Sequence, residues 1–363
     1  MKYKLEEIAL FNPTESIKKG DFAKKVAMDK LQSFCRDIPS YEIAEFNGGT
    51  KFRNGDTIMA RITPCLENGK AAKVDILGDG EVGFGSTEYI VFRAIDGVTD
   101  EDYLYYLVCS PIVRDIAIKS MVGSSGRQRV QTGVVKSIEI ELPSLDMQKK
   151  IGSLLKSFDD KIAINNRINK NLEQQAQALY TSMFVANRNS KWKLGQLSEL
   201  VTVKYGKDHK KLEGGNYPVY GSGGIMRYVE RPLYTGESVL IPRKGTLNNV
   251  IYVNEAFWSV DTMFYTEMLV PNVAKYVFHY LKGIDLASLN AGSAVPSMTT
   301  NILNAMQIYI PDTDTLASFE KMVKPMYQMI QENAKQFVSL ASLRDTLLPK
   351  LMSGELDVSA IDL

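Results

Sequence analysis

Three stretches of this 363-residue chain combine arginine, lysine and glutamine with glycine, serine and asparagine. Arginine and glutamine can read guanine and adenine edges through paired hydrogen bonds, while lysines, loop serines and backbone amides suit phosphates. The candidate DNA contacts in the first two stretches are Lys51, Arg53, Arg61, Thr63, Lys70, Ser125, Arg127, Gln128 and Arg129. Those in the third stretch are Lys204, Lys207, Lys210, Lys211, Tyr217, Tyr220, Ser222, Arg227, Arg243, Lys244, Thr246 and Asn248. For each residue the alternative is an ordinary solvated surface.

Glycine-rich and proline-containing strings were compared with nucleotide and base pockets. An adenine methyltransferase would need an Asn/Asp-Pro-Pro-aromatic loop, and the nearest string here is Asn12-Pro13-Thr14. Gly83-Phe84-Gly85 and Gly221-Ser222-Gly223-Gly224 are interpreted as turns, because neither opens a helix after a strand as a nucleotide loop does. The sequence also lacks a Walker lysine loop, which argues against an ATP motor.

Residues that could act as acids, bases or metal ligands are sparse. The two histidines, His209 and His279, have no metal-ligand neighbour and no nucleophile at motif spacing. His279 is interpreted as a packed or surface residue. Asp159 and Asp160 are expected to be solvated on a helix face. The sequence therefore predicts no catalytic residue and no metal site in this chain.

Composition and charge set broad limits on the class of protein. The chain has 45% hydrophobic and 23% charged residues and three cysteines without paired spacing, which is typical of a globular protein in a reducing cytoplasm. No signal peptide and no apolar run of the ~18–20 residues that cross a membrane are recognised. The net charge is only +1, whereas a protein that binds DNA unaided is usually strongly basic. Either the basic groups cluster on one face, or a partner supplies part of the binding.

The sequence repeats itself at an offset of 168 positions. The matching strings include Gly123-Ser124-Ser125 with Ala291-Gly292-Ser293, and Ile138, Ile140, Leu142 and Pro143 with Met306, Ile308, Ile310 and Pro311. Two copies of one plan are therefore predicted, each an α+β domain rich in short strands followed by a long helix. The predicted divisions are a domain over residues 1–145, a helix over 146–187, a second domain over 188–311, and a helix with a tail over 312–363.

Two long helices are predicted from residues that recur at alternating spacings of four and three, as in the a/d seam of a coiled coil. The first seam is Ile151, Leu155, Phe158, Ile162, Asn165, Asn169, Leu172, Ala176, Leu179 and Met183. The second is Phe319, Val323, Met326, Ile330, Asn333, Phe337, Leu340, Arg344, Leu347 and Leu351. The helices must run antiparallel to return the chain, and each could instead pack only on its own domain. Pro325 and Pro349 are expected to kink the second helix, and Gly354 to end it.

The repeat also predicts the alignment of the two helices. Two-fold symmetry pairs Ile151 with Leu351, Leu155 with Leu347, Ile162 with Leu340, Asn165 with Phe337, and Asn169 with Asn333. A buried asparagine penalises every shifted register unless its amide finds a partner. We therefore expect Asn169 and Asn333 to fix the alignment.

Four strings carry a resemblance to a known family. They are FRNGDTIMARITPCLENGK at residues 52–70, GESVLIPRKGT at 236–246, Leu142-Pro143 leading into Gln148-Lys149-Lys150-Ile151, and Asp160-Lys161-Ile162 with the asparagine-rich helix after it. These strings, in this repeated order, resemble the specificity subunits of type I restriction-modification systems. The resemblance covers essentially the whole chain.

The resemblance implies a division of labour among several subunits. Each domain would be a target-recognition domain that reads one half of a split, asymmetric site in double-stranded DNA. The helices would space the domains and dock two methylation subunits, which carry the S-adenosylmethionine chemistry, and a motor-nuclease subunit would join for cleavage. This chain would hold no cofactor.

Two alternatives stay open at this point. One is a single-chain DNA methyltransferase with degenerate motifs, which would bind S-adenosylmethionine by itself. The other is a coiled-coil scaffold without a role in nucleic-acid binding, which would leave no sequence-dependent footprint on DNA. The target bases cannot be read from the sequence, because loop readout depends on geometry that no motif encodes.

Overall fold

The computed structural model describes residues 2–124, 126–289 and 297–359. The chain forms two compact units, whose boundaries lie inside the two long helices. Unit 1 comprises Met1–Arg167 and Glu332–Leu363, and unit 2 comprises Ile168–Gln331. Each unit therefore holds one domain together with part of both helices.

The domain of unit 1 is built from short strands and short helices. Its elements are β1 (Lys2–Lys4), α1 (Leu5–Ile8), β2 (Ala9–Phe11), β3 (Phe22–Val26), β4 (Glu42–Glu45), β5 (Thr50–Phe52), β6 (Thr57–Ala60), β7 (Ala71–Lys73), β8 (Gly83–Gly85), β9 (Tyr89–Ala94), α2 (Glu101–Cys109), α3 (Pro111–Lys119), α4 (Thr132–Lys136) and β10 (Glu139–Glu141). The strands form sheets in the orders β2-β9-β6-β7, β4-β3-β8-β5 and β1-β10. All four residues of β6 are buried, so this strand crosses the centre of the domain.

The two long helices are separated along the chain by the domain of unit 2. They are α5 (Leu145–Tyr180), extended by a π-helical segment Thr181–Ala186, and α8, whose range closes the following list. The domain between them contains β11 (Lys193–Gln196), β12 (Val201–Tyr205), β13 (Tyr217–Gly221), β14 (Gly224–Val229), β15 (Tyr234–Pro242), β16 (Ile251–Ser259), β17 (Met263–Met268), α6 (Ala274–Lys282), α7 (Thr300–Asn304) and β18 (Gln307–Ile310), before α8 (Thr313–Met352). Its main sheet has the order β12-β17-β15-β16-β13-β14, and β11 pairs with β18.

The predicted internal repeat is present at the level of single hydrogen bonds. The Leu5 amide donates to the Ile138 carbonyl at 2.9 Å in unit 1, and the Leu197 amide donates to the Met306 carbonyl at 2.9 Å in unit 2. Helices α4 and α7 begin 168 residues apart, as do α5 and α8. The two domains are therefore one scaffold used twice, in an α+β fold with two long helices.

Two local predictions were wrong. Gly83–Gly85 is not a turn but strand β8, paired parallel with β3 and antiparallel with β5. Glycine is needed there because a Cβ on Gly85 would lie 2.5 Å from the Val26 carbonyl oxygen. The helix expected over residues 101–120 is broken into α2 and α3, since Pro111 cannot continue α2 and instead occupies the first turn of α3.

Within unit 1, α5 and α8 pack antiparallel in nearly the predicted alignment. Asp159 pairs with Arg344, and the Asn165 side-chain amide donates to Gln336 Oε1 at 3.0 Å. Both contacts lie within one residue of the alignment that the repeat predicts. The predicted Asn169–Asn333 pair has one member in each unit, so it stays a prediction.

The seam residues differ in burial. The buried ones are Ile151, Leu155, Ile162, Asn165, Val323, Asn333 and Leu351. The half-buried ones are Phe158, Asn169, Leu172, Leu179, Ile330, Leu340 and Leu347. Phe337 is a correction: its side chain is 43% exposed, because its neighbour Gln336 turns inward to meet Asn165.

The prolines do not end α8. The helix continues through both Pro325 and Pro349 to Met352. Gly354 follows with φ +75°, the left-handed conformation that commonly follows a helix end. The predicted stop is therefore confirmed.

Candidate nucleic-acid interface

A backbone bridge holds two of the predicted contact segments of unit 1 side by side. The Val130 amide donates to the Arg61 carbonyl at 2.9 Å, and the Thr63 amide donates to the Gln128 carbonyl at 3.1 Å. Ile62 and Arg129 form the β-bridge between these bonds. The turn after β6 and the loop before α4 thus form one surface, although 67 residues separate Ile62 from Arg129 in the sequence.

Unit 2 repeats the same bridge at equivalent positions. The Met298 amide donates to the Arg243 carbonyl at 2.9 Å, and Lys244 forms a β-bridge with Ser297. Met298 and Ser297 lie 168 residues after Val130 and Arg129, the offset of the repeat. The scaffold of this surface is therefore duplicated, while its side chains differ.

In unit 1 the basic side chains of this surface are held by acceptors. Arg129 donates from Nη2 and Nε to Glu88 at 2.6 and 2.9 Å, and this bond lowers the pKa of the Glu88 carboxyl. Arg53 Nε lies 2.7 Å from Glu15 Oε2. Lys51 Nζ donates to the Glu15 carbonyl oxygen at 2.9 Å. These side chains are positioned before any ligand arrives.

The other predicted contacts of unit 1 fall into three groups. Arg127 and Gln128 are exposed on the loop before α4. Arg61 and Thr63 are half-buried, and Lys70 Nζ donates to the Met28 carbonyl at 2.8 Å, which makes it part of the domain's own structure. Ser125 lies outside the described residues.

In unit 2 the segment over residues 204–212 is fixed by its backbone, and its lysine side chains remain exposed. The Lys207 amide donates to the Ser259 carbonyl at 2.8 Å, and Trp258 Nε1 donates to the Lys207 carbonyl at 2.9 Å. Lys207, Lys210 and Lys211 are exposed, and no ion pair involves them in the part of the chain that the structure describes. Lys204 lies 3.8 Å from Glu267 Oε2.

Two further segments of unit 2 join this surface. The Arg243 guanidinium carbon lies 5.4 Å from the centre of the Tyr205 ring. Asn249 Nδ2 donates to the Ser222 carbonyl at 2.6 Å, and Arg227 donates from Nη2 to the Leu212 carbonyl. The loop over residues 243–249, the β13–β14 hairpin and the segment over 204–212 therefore lie together. Lys244 and Thr246 are exposed on it.

Three predicted contacts of unit 2 have structural roles in this chain. Tyr220 is buried, its hydroxyl donates to Glu255 Oε1 at 2.6 Å, and burial raises its pKa. Tyr217 is half-buried against the same core cluster. Asn248 is exposed but bonds Asp285 Oδ1 at 2.9 Å and accepts from the Ala287 amide at 3.0 Å. Sequence reasoning grouped the tyrosines with the lysines because alternation along β13 does not reveal which face is covered.

Sequence reasoning missed the carboxylates that hold the arginines of unit 1. Glu15 and Glu88 are 38 and 35 residues from Arg53 and Arg53's partner strand residue Asp56 and Arg129 is 41 residues from Glu88.

 Separations of this size leave no local signal in the sequence, because only the folded sheet brings each carboxylate beside its arginine. The exposed apolar residues Ile225, Met226 and Tyr228 of β14 were also missed, although their position next to Arg227 could have drawn attention to them.

A buried ionic cluster connects the domain of unit 1 to both long helices. The Tyr106 hydroxyl on α2 donates to Asp159 Oδ2 at 2.6 Å. Asp159 on α5 also accepts from Arg344 on α8, and Arg344 Nη1 donates to the Phe34 carbonyl at 3.4 Å. The expectation that Asp159 is solvated was therefore wrong, because its partner Arg344 lies 185 residues away in the sequence.

The corresponding connection in unit 2 is mostly aromatic. His279 on α6 is buried, with Nδ1 2.8 Å from Gln177 Oε1 on α5 and Nε2 2.9 Å from the Tyr327 hydroxyl on α8. The Tyr180 ring stacks on it at 5.6 Å. Burial, aided by Lys282, lowers the pKa of His279 to about 4. His279 is thus a packed residue, as the sequence predicted, and it serves to attach α6 to the helices.

Lys275 forms a second buried contact in unit 2. Its Nζ lies 2.7 Å from Glu237 Oε1 on β15 and 2.8 Å from Glu320 Oε1 on α8. This lysine therefore ties the main sheet to the helix through α6. In residues 2–124, 126–289 and 297–359, no group of three or more His, Cys, Asp or Glu side chains could hold a metal ion. No helix in those same ranges combines the length and apolar character of a membrane span.

The fold and the duplicated surface define a class of DNA-recognition protein, and comparison with known proteins identifies the family. Residues 1–174 and 189–334 match the family described as "Type I restriction modification DNA specificity domain". Since the match covers most of the chain, the protein belongs to this family and is a DNA-specificity subunit of the type I restriction-modification class. Its role is recognition, and catalysis is not a property of subunits of this kind.

Individual relatives support the same conclusion. The chain is 25% identical over 309 residues to the type I restriction enzyme MjaIX specificity subunit of Methanocaldococcus jannaschii, covering 73% of this chain and 71% of that protein. It is also 25% identical to the putative type I specificity subunit S.MpnORF638P of Mycoplasma pneumoniae, covering 92% of each. The fold is similar to the crystal structure of the type I system S subunit from M. genitalium, with TM-score 0.63, 18% identity and coverage of 99% and 96%.

Proposed function

We propose that the duplicated surface binds DNA and that each unit reads one half of a split, asymmetric target. The observation that carries this proposal is the pair of equivalent backbone bridges, Val130–Arg61 and Met298–Arg243. An identical scaffold gives both units the same way of approaching a duplex, and different side chains give them different sequences to read. Two different half-sites joined by an unread gap follow from this arrangement.

The long helices are proposed to dock two methylation subunits and to set the gap between the half-sites. In support, both helices expose apolar side chains away from their seam: Ile164, Ile168, Met322, Met329, Val338 and Leu343. Exposed apolar residues of this kind mark interaction surfaces more often than single scattered ones do. The methylation subunits would bring S-adenosylmethionine, and a motor-nuclease subunit would join them for cleavage. Such a complex would act on DNA in the cytoplasm.

The direct test is to map methylated adenines in a genome after expression of this chain with its methylation subunits. The expected result is one split motif whose two halves differ in sequence. A continuous or palindromic motif would contradict the proposal. Retention of S-adenosylmethionine by the purified chain alone would instead favour a single-chain methyltransferase, and the absence of any sequence-dependent footprint with partners present would favour a scaffold.

A further inference from the structure

The hairpin formed by β13 and β14 exposes apolar side chains at the edge of the main sheet of unit 2. Ile225 is 50% exposed, Met226 is 61% exposed and Tyr228 is 44% exposed. β14 is the last strand of its sheet. Edge strands usually carry charge or a covering element, because an exposed apolar edge promotes aggregation. A ligand surface is the reading that explains why these side chains are retained there.

The geometry of the hairpin aims these side chains outward. The pairing shifts between Val219 and Tyr220, so that Arg227 pairs with Val219 and Ile225 pairs with Tyr220, leaving Met226 as the extra residue of a bulge. Bulges change the direction in which a side chain points. A Cβ on Gly221 would lie 2.5 Å from Met226 Sδ, so the methionine packs closely over this glycine and has a defined position.

The surroundings of the hairpin are positively charged. Residues 217–229 contain no aspartate or glutamate. The Arg227 bond to the Leu212 carbonyl ties β14 to the segment that carries Lys207, Lys210 and Lys211. The Asn249 bond to the Ser222 carbonyl places the hairpin turn beside the loop that carries Lys244. An apolar tip framed by unpaired lysines fits a polyanion that also offers an apolar group.

We propose, resting on the function proposed above, that the β13–β14 hairpin enters the major groove and that Ile225 and Met226 contact the C5 methyl of thymine. The major groove admits a two-stranded β-ribbon, and the thymine methyl is the apolar group displayed there. The lysines on either side would then lie near the phosphates. This assigns a base-reading role to two residues without a hydrogen-bonding side chain.

The test uses the complex of this chain with its methylation subunits and duplexes that carry the mapped target. Each thymine in the half-site whose reading changes in the Arg243→Ala variant is replaced by uracil, which removes only the C5 methyl. Binding is measured by fluorescence anisotropy at one salt concentration. The wild-type complex should lose about fourfold in affinity at one or two of these positions, the value of one buried methyl group. A double variant, Ile225→Ser with Met226→Ser, should bind thymine and uracil duplexes equally.

The control is Leu269→Ser, an exposed apolar residue of the same unit that follows the far end of β17. It should keep the wild-type preference for thymine. The proposal would be overturned by a half-site without an A·T pair, by uracil duplexes that bind as well as thymine duplexes to the wild type, or by a double variant that keeps the preference. Loss of methylation subunits from the double variant would also overturn it, by showing that a protein covers the hairpin. A wild-type complex without any sequence preference would contradict the proposed function itself.

Discussion

Unit 1 and unit 2 present the same backbone bridge but treat the basic side chains around it differently. In unit 1, Arg129 and Arg53 are held by Glu88 and Glu15. In unit 2, Lys210 and Lys211 are exposed, and no carboxylate pairs with them among the described residues. An arginine held in one orientation suits bidentate reading of a base, whereas a free lysine suits a phosphate. The comparison suggests that positioned arginines dominate recognition in unit 1 and that electrostatic attraction contributes more in unit 2.

The connections to the helices differ in the same sense. Unit 1 uses the buried ions Asp159 and Arg344, and unit 2 uses neutral His279 between aromatic rings. Charged and neutral clusters respond differently to mutation and to pH. The predictions below use these differences, beginning with the largest effect.

Replacing Arg344 with Met should destabilise unit 1 by about 3–5 kcal/mol, because Asp159 would remain buried without its cation. The measurement is urea unfolding followed by far-UV circular dichroism. The double variant Asp159→Leu with Arg344→Met should lose much less, since it removes both charges. Equal losses in the single and double variants would show that packing, and not the unpaired charge, determines the effect.

Lowering the pH should weaken unit 2 through His279. Its pKa in the folded protein is about 4 and near 6.5 when unfolded, so the unfolded chain binds more protons between these values. The stabilisation from the neutral ring is complete above pH 6.5 and falls as the pH drops toward 4, by roughly 3 kcal/mol in total. Trp192 and Trp258 both lie in unit 2, so tryptophan fluorescence reports its unfolding. The variant His279→Gln should remove this part of the pH dependence, and an unchanged slope would contradict it.

Replacing Arg127, Gln128 and Arg129 with Ala should relax reading of only the half-site contacted by unit 1. A lost bidentate base contact reduces discrimination about tenfold to a hundredfold. Competition binding with duplexes mutated in one half at a time measures the effect. Full discrimination at both halves would show that this loop faces away from the DNA.

Replacing Lys210 and Lys211 with Ala should weaken binding to all sequences alike. Loss of two phosphate contacts should reduce the slope of log K against log salt by about two. The matched change in unit 1 is Lys51→Ala, which should alter the slope less because Lys51 already donates to the Glu15 carbonyl. Equal changes in slope would remove the electrostatic distinction between the units.

The features that could be predicted from the sequence are periodic or repeated ones. The offset of 168 residues predicted that α5 and α8 begin at equivalent positions, and the spacing of apolar residues predicted their alignment within one residue. Such patterns are local, so neighbouring residues carry the information. The role of the interface residues remains a prediction, since the structure shows their positions but no bound DNA is needed to form the bridges that hold them.

The features that escaped prediction depend on distant partners. Asp159 was expected in solvent because Arg344 lies 185 residues away. Tyr220 was grouped with the contact residues, whereas its hydroxyl meets Glu255 on another strand. Phe337 occupies a seam position by spacing, but the Gln336–Asn165 bond turns it outward. In each case one tertiary contact outweighs the local pattern.

The most direct test of the central claim is reciprocal mapping of methylated sites. The chain is expressed with its methylation subunits as the wild type, as the Arg127/Gln128/Arg129 alanine variant, and as a variant with Arg243→Ala and Lys244→Ala. The account predicts a split, asymmetric motif for the wild type, with one half relaxed in the first variant and the other half relaxed in the second. A motif in which either variant changes both halves, or the same half, would contradict the claim that each unit reads its own half of the site.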